Sequence, residues 1–332
     1  MKDKSRGKPS LRDITYGNRP LIYAPERVCQ GAVRTLVYTG LKIELDIFQR
    51  LRIKKSQAVQ AGDSKYFCIA GSVTATALIT GASSGIGAVF ARELASQGHH
   101  LVLVARREEK LKGLADALQQ EFHLNAQVFL ADLSDPADVE RVAKKIGECG
   151  DLEVLINNAG FGLPGKFVDV PPERNAAMIQ VHVLAIVRLC RAALPGMIAR
   201  GRGSIINVSS IAAFMGSVRN ATYSATKAYL NVFSQALQDE LKGAGVRVQA
   251  LCPGLTHTEF HDHPGYGDYK TRIPEFLWMK AEDVVAESLA ALERGRVICI
   301  PGFKNRLIVA AIRNRPCAFV VKALAARFQR ES

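Results

Sequence analysis

The chain has 332 residues, of which 48% are hydrophobic and 23% are charged, and these are ordinary globular proportions. This length allows one large α/β domain with appendages or two small domains. The net charge of +13 does not indicate a nucleic-acid enzyme, because the basic excess is concentrated at the two ends. Residues 1–74 carry 14 Lys/Arg against 6 Asp/Glu, residues 301–332 carry 7 against 1, and the region between them carries 23 against 24.

The seven cysteines are scattered and form no C-x-x-C pair. This usage predicts a reducing, cytoplasmic compartment and no structural zinc. No cleavable signal is evident. The uncharged run of 26 residues from Tyr66 to Ala91 includes TGASSGIG, which is better material for a tight turn than for a membrane span.

Residues 1–73 form a basic N-terminal extension without a regular pattern, apart from one amphipathic stretch, GLKIELDIFQRLRIKK. Three alternatives remain open for it: a helix that binds a membrane or a partner, a helix packed on the main domain, or a segment outside the natural folded unit.

From residue 74 onward, short apolar runs alternate with amphipathic helical stretches. Strands that are apolar on both faces and separated by crossover helices predict a doubly wound parallel sheet covered on both sides. The seven predicted strands span residues 75–80, 100–105, 126–131, 152–157, 204–209, 246–251 and 296–301.

The motif TGASSGIG follows the first predicted strand and opens the first helix. Glycines at such a turn let a backbone approach a ligand closely, and a helix N-terminus offers N–H groups to a pyrophosphate. A glycine cluster by itself is weak evidence, but this placement favours cofactor binding over a purely structural turn. The residues predicted to bind the cofactor here are Gly81, Ser83, Ser84, Gly85, Ile86 and Gly87.

The second strand ends at Ala105 and is followed by Arg106 and Arg107. An acidic residue at this place would bind the 2′-hydroxyl of NAD, whereas guanidinium groups suit a 2′-phosphate. The sequence therefore favours NADP(H) as the cofactor over NAD(H). The alternative is that both arginines simply begin the following helix.

Residues 74 to about 300 resemble a short-chain dehydrogenase/reductase. Six motifs in order carry the resemblance: TGASSGIG, ADL at 131–133, NNAG at 157–160, NVSS at 207–210, YSATK at 223–227 and CPGLTHT at 252–258. The resemblance implies a single catalytic domain with a Rossmann-type sheet of about seven strands. It also implies further cofactor contacts from Asp132, Leu133, Asn158, Ala159, Gly160, Pro253, Gly254, Thr256 and Thr258.

The pattern Y-x-x-x-K occurs three times, at Tyr38/Lys42, Tyr223/Lys227 and Tyr266/Lys270. Family enzymes carry a serine thirteen residues before the tyrosine. Only Tyr223 meets this condition, with Ser210, since Pro25 and Pro253 stand before the other two. By resemblance, Tyr223 is the acid-base residue, Ser210 positions the reacting oxygen, and Tyr223 and Lys227 also contact the cofactor. A nearby ammonium favours a phenolate, so we expect Lys227 to lower the pKa of Tyr223.

One position departs from the family pattern. The family carries an asparagine that helps to hold a water in the proton relay to the lysine, and this chain has His182 there, in VHVLA. A histidine can take over the relay, and we count His182 among the predicted catalytic residues. A purely packing role and impaired catalysis are the alternatives.

The histidines His257, His261 and His263 are not predicted to bind a metal, because the family resemblance places a substrate-covering loop there. They begin a predicted substrate lid over about residues 258–280, where Trp278 has core packing as its default role. The domain is predicted to cover 74–303, and a basic amphipathic tail to cover 304–332. That tail either docks on the domain or on a second copy, or it touches a membrane surface or a lipophilic substrate entrance.

These features predict an NADP(H)-dependent oxidoreductase that acts on a carbonyl or secondary alcohol. A lipophilic substrate, a homo-oligomer and peripheral membrane association of an otherwise cytoplasmic protein are further expectations, and no nucleic-acid partner is expected. The competing hypothesis is a dinucleotide-binding regulatory or scaffold protein with little turnover.

Overall fold

A computed structural model describes residues 75–216, 218–262 and 273–314. The predicted N-terminal extension, the middle of the predicted lid and the end of the predicted tail lie outside the described residues. The seven strands are β1 (Thr76–Thr80), β2 (His100–Ala105), β3 (Ala126–Leu130), β4 (Leu152–Asn157), β5 (Gly203–Val208), β6 (Val246–Leu251) and β7 (Ile298–Cys299). The helices are α1 (Gly85–Ser96), α2 (Glu108–Phe122), α3 (Pro136–Glu148), α4 (Pro172–Ile179), α5 (Ala185–Ala199), α6 (Ala221–Glu240), α7 (Ala281–Glu293) and α8 (Phe303–Arg313).

All seven strands pair in parallel, in the order β3-β2-β1-β4-β5-β6-β7. The central strand β1 is buried along its whole length, and neighbouring residues point into two separate apolar clusters, one on each face. Apolar residues on both faces of a strand require helices on both sides of the sheet. The predicted Rossmann-type doubly wound sheet in a single domain is therefore confirmed.

The order of the strands reverses between β1 and β4, so the loops after these strands diverge and open a crevice at the carboxyl edge of the sheet. The last strand is shorter than predicted. Of the run 296–301 only Ile298 and Cys299 are in register with β6, at the edge of the sheet.

A π-helical turn over Gln180–Leu184 joins α4 and α5. Pro172–Ala199 is consequently one continuous helical stretch of 28 residues that is long and apolar enough to span a membrane by length and composition. Core side chains of this stretch, such as Met178, Ala185 and Leu189, are fully buried, and the stretch packs on α3 and β4. Of its most apolar 18-residue window, 44% is buried within the described structure.

The predicted tail begins within a helix. α8 starts at Phe303, and its Asn305 and Val309 are 4% and 3% exposed. The first turns of this basic segment therefore pack on the domain, which is one of the alternatives that the sequence left open.

Candidate active site

The turn between β1 and α1 allows close approach of a ligand. Gly81 and Gly85 have φ of +65° and +57°, a conformation that side chains with a Cβ rarely adopt. A Cβ on Gly87 would lie 2.4 Å from the carbonyl oxygen of Gly81, so a larger residue does not fit. The side chain of Ser84 does not cap α1, and Ile86 packs on the core. The N-terminal amides of α1 are therefore suited to an anion such as a pyrophosphate.

The segment after β4 supports this turn. Asn158 Nδ2 donates to the carbonyl oxygens of Thr80 and Gly81, at 3.0 and 3.1 Å. Thr80 Oγ1 accepts from the backbone N–H groups of Asn158 and Ala159, both at 3.0 Å. Asn158 and Ala159, which were predicted as cofactor contacts, thus hold the glycine turn in place through these hydrogen bonds. Thr80 was not among the predicted site residues, although it is the first residue of TGASSGIG, because its role depends on contacts with the segment after β4.

The two arginines after β2 have different partners. Arg106 Nη1 lies 3.5 Å from Asp132 Oδ2, and its side chain is 70% exposed. Arg107 Nη2 donates to the hydroxyl oxygens of Ser83 and Ser84, at 2.9 and 2.7 Å. The fold therefore brings Arg107, rather than Arg106, to the glycine turn.

The loop after β3 presents Asp132 beside this pair. Burial acts to raise the pKa of Asp132, but hydrogen bonds from Ser134 and the charge of Arg106 outweigh it, so the pKa is lowered. The carboxylate is thus ionised and held in place by the N–H and hydroxyl of Ser134, at 3.0 and 2.8 Å. The side chain of Leu133 is buried in the core, which leaves only its backbone for contact with a ligand.

Ser210, Tyr223 and Lys227 converge at the carboxyl end of β5. Tyr223 and Lys227 lie one turn apart on α6, and the Lys227 ammonium is 5.6 Å from the centre of the tyrosine ring. Lys227 Nζ donates to the carbonyl oxygen of Val208 at 2.8 Å, and the Ser209 hydroxyl donates to the carbonyl oxygen of Lys227 at 2.9 Å. Ser210 is the second residue after β5, and its side chain acts to lower the pKa of the Tyr223 hydroxyl.

The protonation of this group differs from our expectation. Burial raises the pKa of Tyr223 from 10.0 to about 12, and the hydrogen bond with Ser210 offsets only part of this rise. Burial also lowers the pKa of Lys227 from 10.5 to about 8. The prediction that Lys227 lowers the pKa of Tyr223 is wrong, because desolvation has the largest effect on the tyrosine and Lys227 is not among the groups that lower its pKa.

His182 is fully buried in the π-helical turn, and both of its ring nitrogens have partners. Nε2 accepts from the Phe161 N–H at 3.1 Å, and Nδ1 lies 3.1 Å from Thr226 Oγ1. The Thr226 hydroxyl donates to the Tyr223 carbonyl oxygen at 2.8 Å, so Nδ1 carries the proton and donates to Thr226.

These contacts bear on the relay hypothesis. Burial, together with the charge of Lys227, lowers the pKa of His182 well below 6.5. A neutral ring with both nitrogens engaged has no atom left for a water on a path to Lys227. The contacts therefore favour a structural role for the ring, and the catalytic relay stays a prediction. Gly160 makes room for the ring, since a Cβ there would lie 2.9 Å from His182 Nε2.

The segment after β6 closes the other side of the crevice. The Pro253 carbonyl oxygen accepts from the Ile211 N–H at 3.0 Å, next to Ser210. A Cβ on Gly254 would lie 2.3 Å from Asn305 Oδ1, and Thr256 is buried with its hydroxyl 3.1 Å from the Gly254 carbonyl oxygen. Asn305 on α8 is a second supporting residue that was missed, because it lies 51 positions further along the chain.

The described ends of the predicted lid pack against the glycine turn and against each other. The Thr258 methyl group lies 2.9 Å from the position of a Cβ on Gly85. His257 stacks on Trp278 with ring centres 5.1 Å apart, and its Nε2 lies 2.9 Å from Glu275 Oε1. Trp278 is 8% exposed, as its predicted packing role requires.

An open cleft of about 440 Å³ lies between the glycine turn and this segment. Its lining residues are Ser83, Ser84, Gly85, Ala88, Val89, His257, Thr258, Glu259, Lys280, Ala281 and Glu282. A glycine cradle at a helix N-terminus, serine hydroxyls and an adjacent arginine form a donor set that fits the phosphates of a dinucleotide.

Comparison with known proteins agrees with this site. The family model described as short chain dehydrogenase matches residues 75–264. Very-long-chain 3-oxoacyl-CoA reductase of Homo sapiens is 30% identical over 230 residues, which cover 68% of this chain and 71% of the relative.

Two solved structures are similar as well. A short-chain dehydrogenase from Sphingobium yanoikuyae in complex with NADPH is 37% identical, with a TM-score of 0.65 over 69% of this chain and 88% of that one. The bulky-bulky ketone specific alcohol dehydrogenase from Comamonas testosteroni is 34% identical, with a TM-score of 0.63 over 70% of this chain and 88% of that one.

The chain therefore belongs to the short-chain dehydrogenase family. It is accordingly an oxidoreductase whose hydride transfer depends on a nicotinamide dinucleotide, NAD or NADP.

Proposed function

We propose that the protein is an NADP(H)-dependent oxidoreductase that interconverts a carbonyl and a secondary alcohol. The observation that carries the proposal is the convergence of Ser210, Tyr223 and Lys227 beside a glycine turn built for phosphates. When bound, the cofactor supplies or accepts the hydride at its nicotinamide ring.

In the reductive direction, Tyr223 gives its hydroxyl proton to the oxygen that becomes the alcohol. A pKa of about 12 keeps this phenol protonated at neutral pH, which is the form that the step requires. Ser210, whose side chain acts on the pKa of this phenol, hydrogen-bonds and positions the same substrate oxygen. Lys227, with a pKa of about 8, is mostly an ammonium at pH 7 and stabilises negative charge that develops on the phenol oxygen.

His182 acts in this scheme as a positioning residue. Its ring links the Phe161 N–H, after β4, to Thr226 on α6, between Tyr223 and Lys227. These two hydrogen bonds fix α6 against the segment after β4, which supports the glycine turn. The low pKa keeps the His182 ring neutral across the working pH range.

The NADP(H) preference rests on the end of β2. Ala105 supplies no carboxylate for a ribose hydroxyl, and Arg107 stands at the glycine turn with its guanidinium near two serine hydroxyls. The relative from Sphingobium yanoikuyae has NADPH in its complex, which supports the same choice. We expect Arg107→Ala to weaken NADPH binding about tenfold or more while NADH binding changes little, because one charge-assisted contact is lost.

The substrate is proposed to be bulky and lipophilic. Tyr223 is flanked by the Phe260 ring, 6.0 Å between centres, and the His182 ring beside it contacts Phe161 at 5.6 Å. Two similar proteins bear names for large substrates, a very-long-chain 3-oxoacyl-CoA and bulky-bulky ketones. A panel of small ketones, bulky ketones and 3-oxoacyl thioesters, followed by NADPH absorbance, tests this. Preference for the small ketones contradicts it.

Self-association is proposed through α6. Tyr229 and Val232 are 41% and 67% exposed on this helix, and Tyr229 stacks on Phe233 with ring centres 5.7 Å apart. Exposed aromatic and aliphatic groups in one patch are typical of protein interfaces. Membrane contact by the end of the basic tail stays a prediction, since those residues lie outside the described part of the chain.

The decisive test of function is Tyr223→Phe, with Tyr229→Phe as the matched control on the same helix. We expect Tyr223→Phe to lose turnover by a factor of about 10² or more while NADPH still binds, because only the proton donor is removed. Tyr229→Phe should keep both. Wild-type rates in Tyr223→Phe contradict the assignment, and NADPH binding without turnover in the wild type on every substrate favours the regulatory alternative.

A further inference from the structure

Glu259 bridges the two cations at the start of α2. The residue begins the 3-10 turn Glu259–Asp262, which follows β6 by way of the segment after Pro253. Its Oε2 accepts from Arg107 Nη1 at 2.6 Å, and its Oε1 accepts from Lys110 Nζ at 2.5 Å. Each carboxylate oxygen of Glu259 thus pairs with a different cation, and both cations lie about 150 positions earlier in the chain.

The two cations keep Glu259 in its ionised form. Hydrogen bonds from Lys110 and from Arg107 lower the pKa of Glu259 to about 2, with a smaller contribution from Ser84. The carboxylate is therefore ionised throughout the neutral range. It neutralises one of the two positive charges and leaves the other without compensation within this cluster.

The bridge also lies where the phosphates of a dinucleotide are expected. Thr258, the neighbour of Glu259, packs its methyl group 2.9 Å from the position of a Cβ on Gly85. Thr258, Glu259 and Gly85 line the same cleft. The segment that carries the carboxylate therefore rests on the glycine turn itself.

We propose that Glu259 is an internal substitute for the 2′-phosphate of NADP(H), and that Lys110 joins Arg107 as a ligand of that phosphate. The proposal rests on the proposed NADP(H) preference and extends it to two residues that set specificity. A phosphate monoester carries close to two negative charges at neutral pH and three acceptor oxygens, so it neutralises both cations where Glu259 neutralises one. The ribose hydroxyl of NAD(H) is neutral and cannot replace the carboxylate.

NADP(H) competes with Glu259 for Arg107 and Lys110, so the wild type binds it less tightly than the bare cation pair would. Binding of the 2′-phosphate also releases the segment from Thr258 to Asp262 from α2, whereas NAD(H) leaves the bridge closed. Choice of cofactor is in this way coupled to the segment that begins the predicted substrate lid.

The test measures dissociation constants of 2′,5′-ADP and 5′-AMP by calorimetry, which needs no turnover. We expect Glu259→Gln to tighten 2′,5′-ADP binding about threefold to tenfold, since it removes an exposed two-cation bridge, and to leave 5′-AMP binding unchanged. Adding Lys110→Met to Glu259→Gln should then weaken 2′,5′-ADP binding by a similar factor. Glu282→Gln is the control, because it removes one charge from the same cleft without touching Arg107 or Lys110.

Hydrogen exchange of the backbone amides in 256–262 gives a second readout. We expect exchange there to rise when 2′,5′-ADP is added to the wild type and to stay unchanged with 5′-AMP. Unaltered 2′,5′-ADP affinity in Glu259→Gln, an equal gain in Glu282→Gln, or protection of 256–262 by 2′,5′-ADP overturns the proposal. If the wild type binds 2′,5′-ADP no more tightly than 5′-AMP, the NADP(H) preference itself fails, which is a distinct result.

Discussion

Lys227 holds a positive charge in a buried site, and its removal should stabilise the protein while it destroys the function. The residue is 5% exposed, and burial lowers its pKa from 10.5 to about 8. A tenfold change in an equilibrium constant is about 1.4 kcal/mol, so keeping this ammonium in the folded protein at pH 7 costs about 3 kcal/mol. Lys227→Met removes that cost and fills the same space with an apolar chain.

The substitution also has a cost, because the Val208 carbonyl oxygen loses the donor that lies 2.8 Å away. Loss of a hydrogen bond of this kind destabilises the folded protein by about 1 kcal/mol. We therefore expect Lys227→Met without cofactor to be more stable than the wild type by about 2 kcal/mol at pH 7. Turnover should be lost, since the variant has no ammonium beside Tyr223.

The pH dependence has a definite sign. Below pH 8 the lysine is protonated in both the folded and the unfolded protein, so its full cost is present. Between pH 8 and 10.5 the folded protein releases the proton first, and the wild type gains stability relative to the variant as pH rises. The advantage of Lys227→Met should therefore be constant below pH 8 and shrink above it.

Urea unfolding at pH 7, 8, 9 and 10, followed by the fluorescence of the single tryptophan, measures this difference. Lys242→Met is the matched control, because the Lys242 side chain is 83% exposed and its removal should change stability by less than about 0.5 kcal/mol. A Lys227→Met protein that is no more stable than the wild type at pH 7, or a difference that is independent of pH, refutes the reasoning.

Three other predictions address separate parts of the molecule. His182→Asn should cost about 1–3 kcal/mol of stability, because the buried partners of His182 lose their hydrogen bonds. The pH dependence of its rate near pH 6.5 should match that of the wild type. A changed pH dependence supports the relay hypothesis. Gly87→Ala should abolish nucleotide binding through its clash with the glycine turn. Gly113→Ala lies on the exposed face of α2, where an added Cβ would meet nothing within 4 Å, and it should raise the unfolding free energy by up to about 1 kcal/mol. Equal effects of the two substitutions contradict the steric argument. Val232→Asp should shift the molar mass in light scattering toward a monomer, since it places a charge in the exposed patch on α6, and an unchanged oligomer excludes that patch as the interface.

Features that depend on neighbours in the chain could be predicted from the sequence. The strand runs carry apolar residues on both faces, and a strand with two apolar faces needs helices on both sides, so the doubly wound sheet follows from local pattern. The glycine turn follows in the same way, since Gly81 and Gly85 stand between a strand and a helix and adopt positive φ there. The spacing of Tyr223 and Lys227 places both on one side of α6, because an α-helix repeats every 3.6 residues.

Features that depend on distant contacts were decided by the tertiary structure alone. The pKa shifts of Tyr223 and Lys227 reverse the local expectation, because the fold desolvates both groups, and desolvation is set by everything packed around them. The contact of Glu259 with Arg107 joins positions 152 apart, and no spacing rule links residues across such a separation. Local pattern therefore determined which elements form and where the reactive side chains stand, and long-range packing determined their charge and their partners.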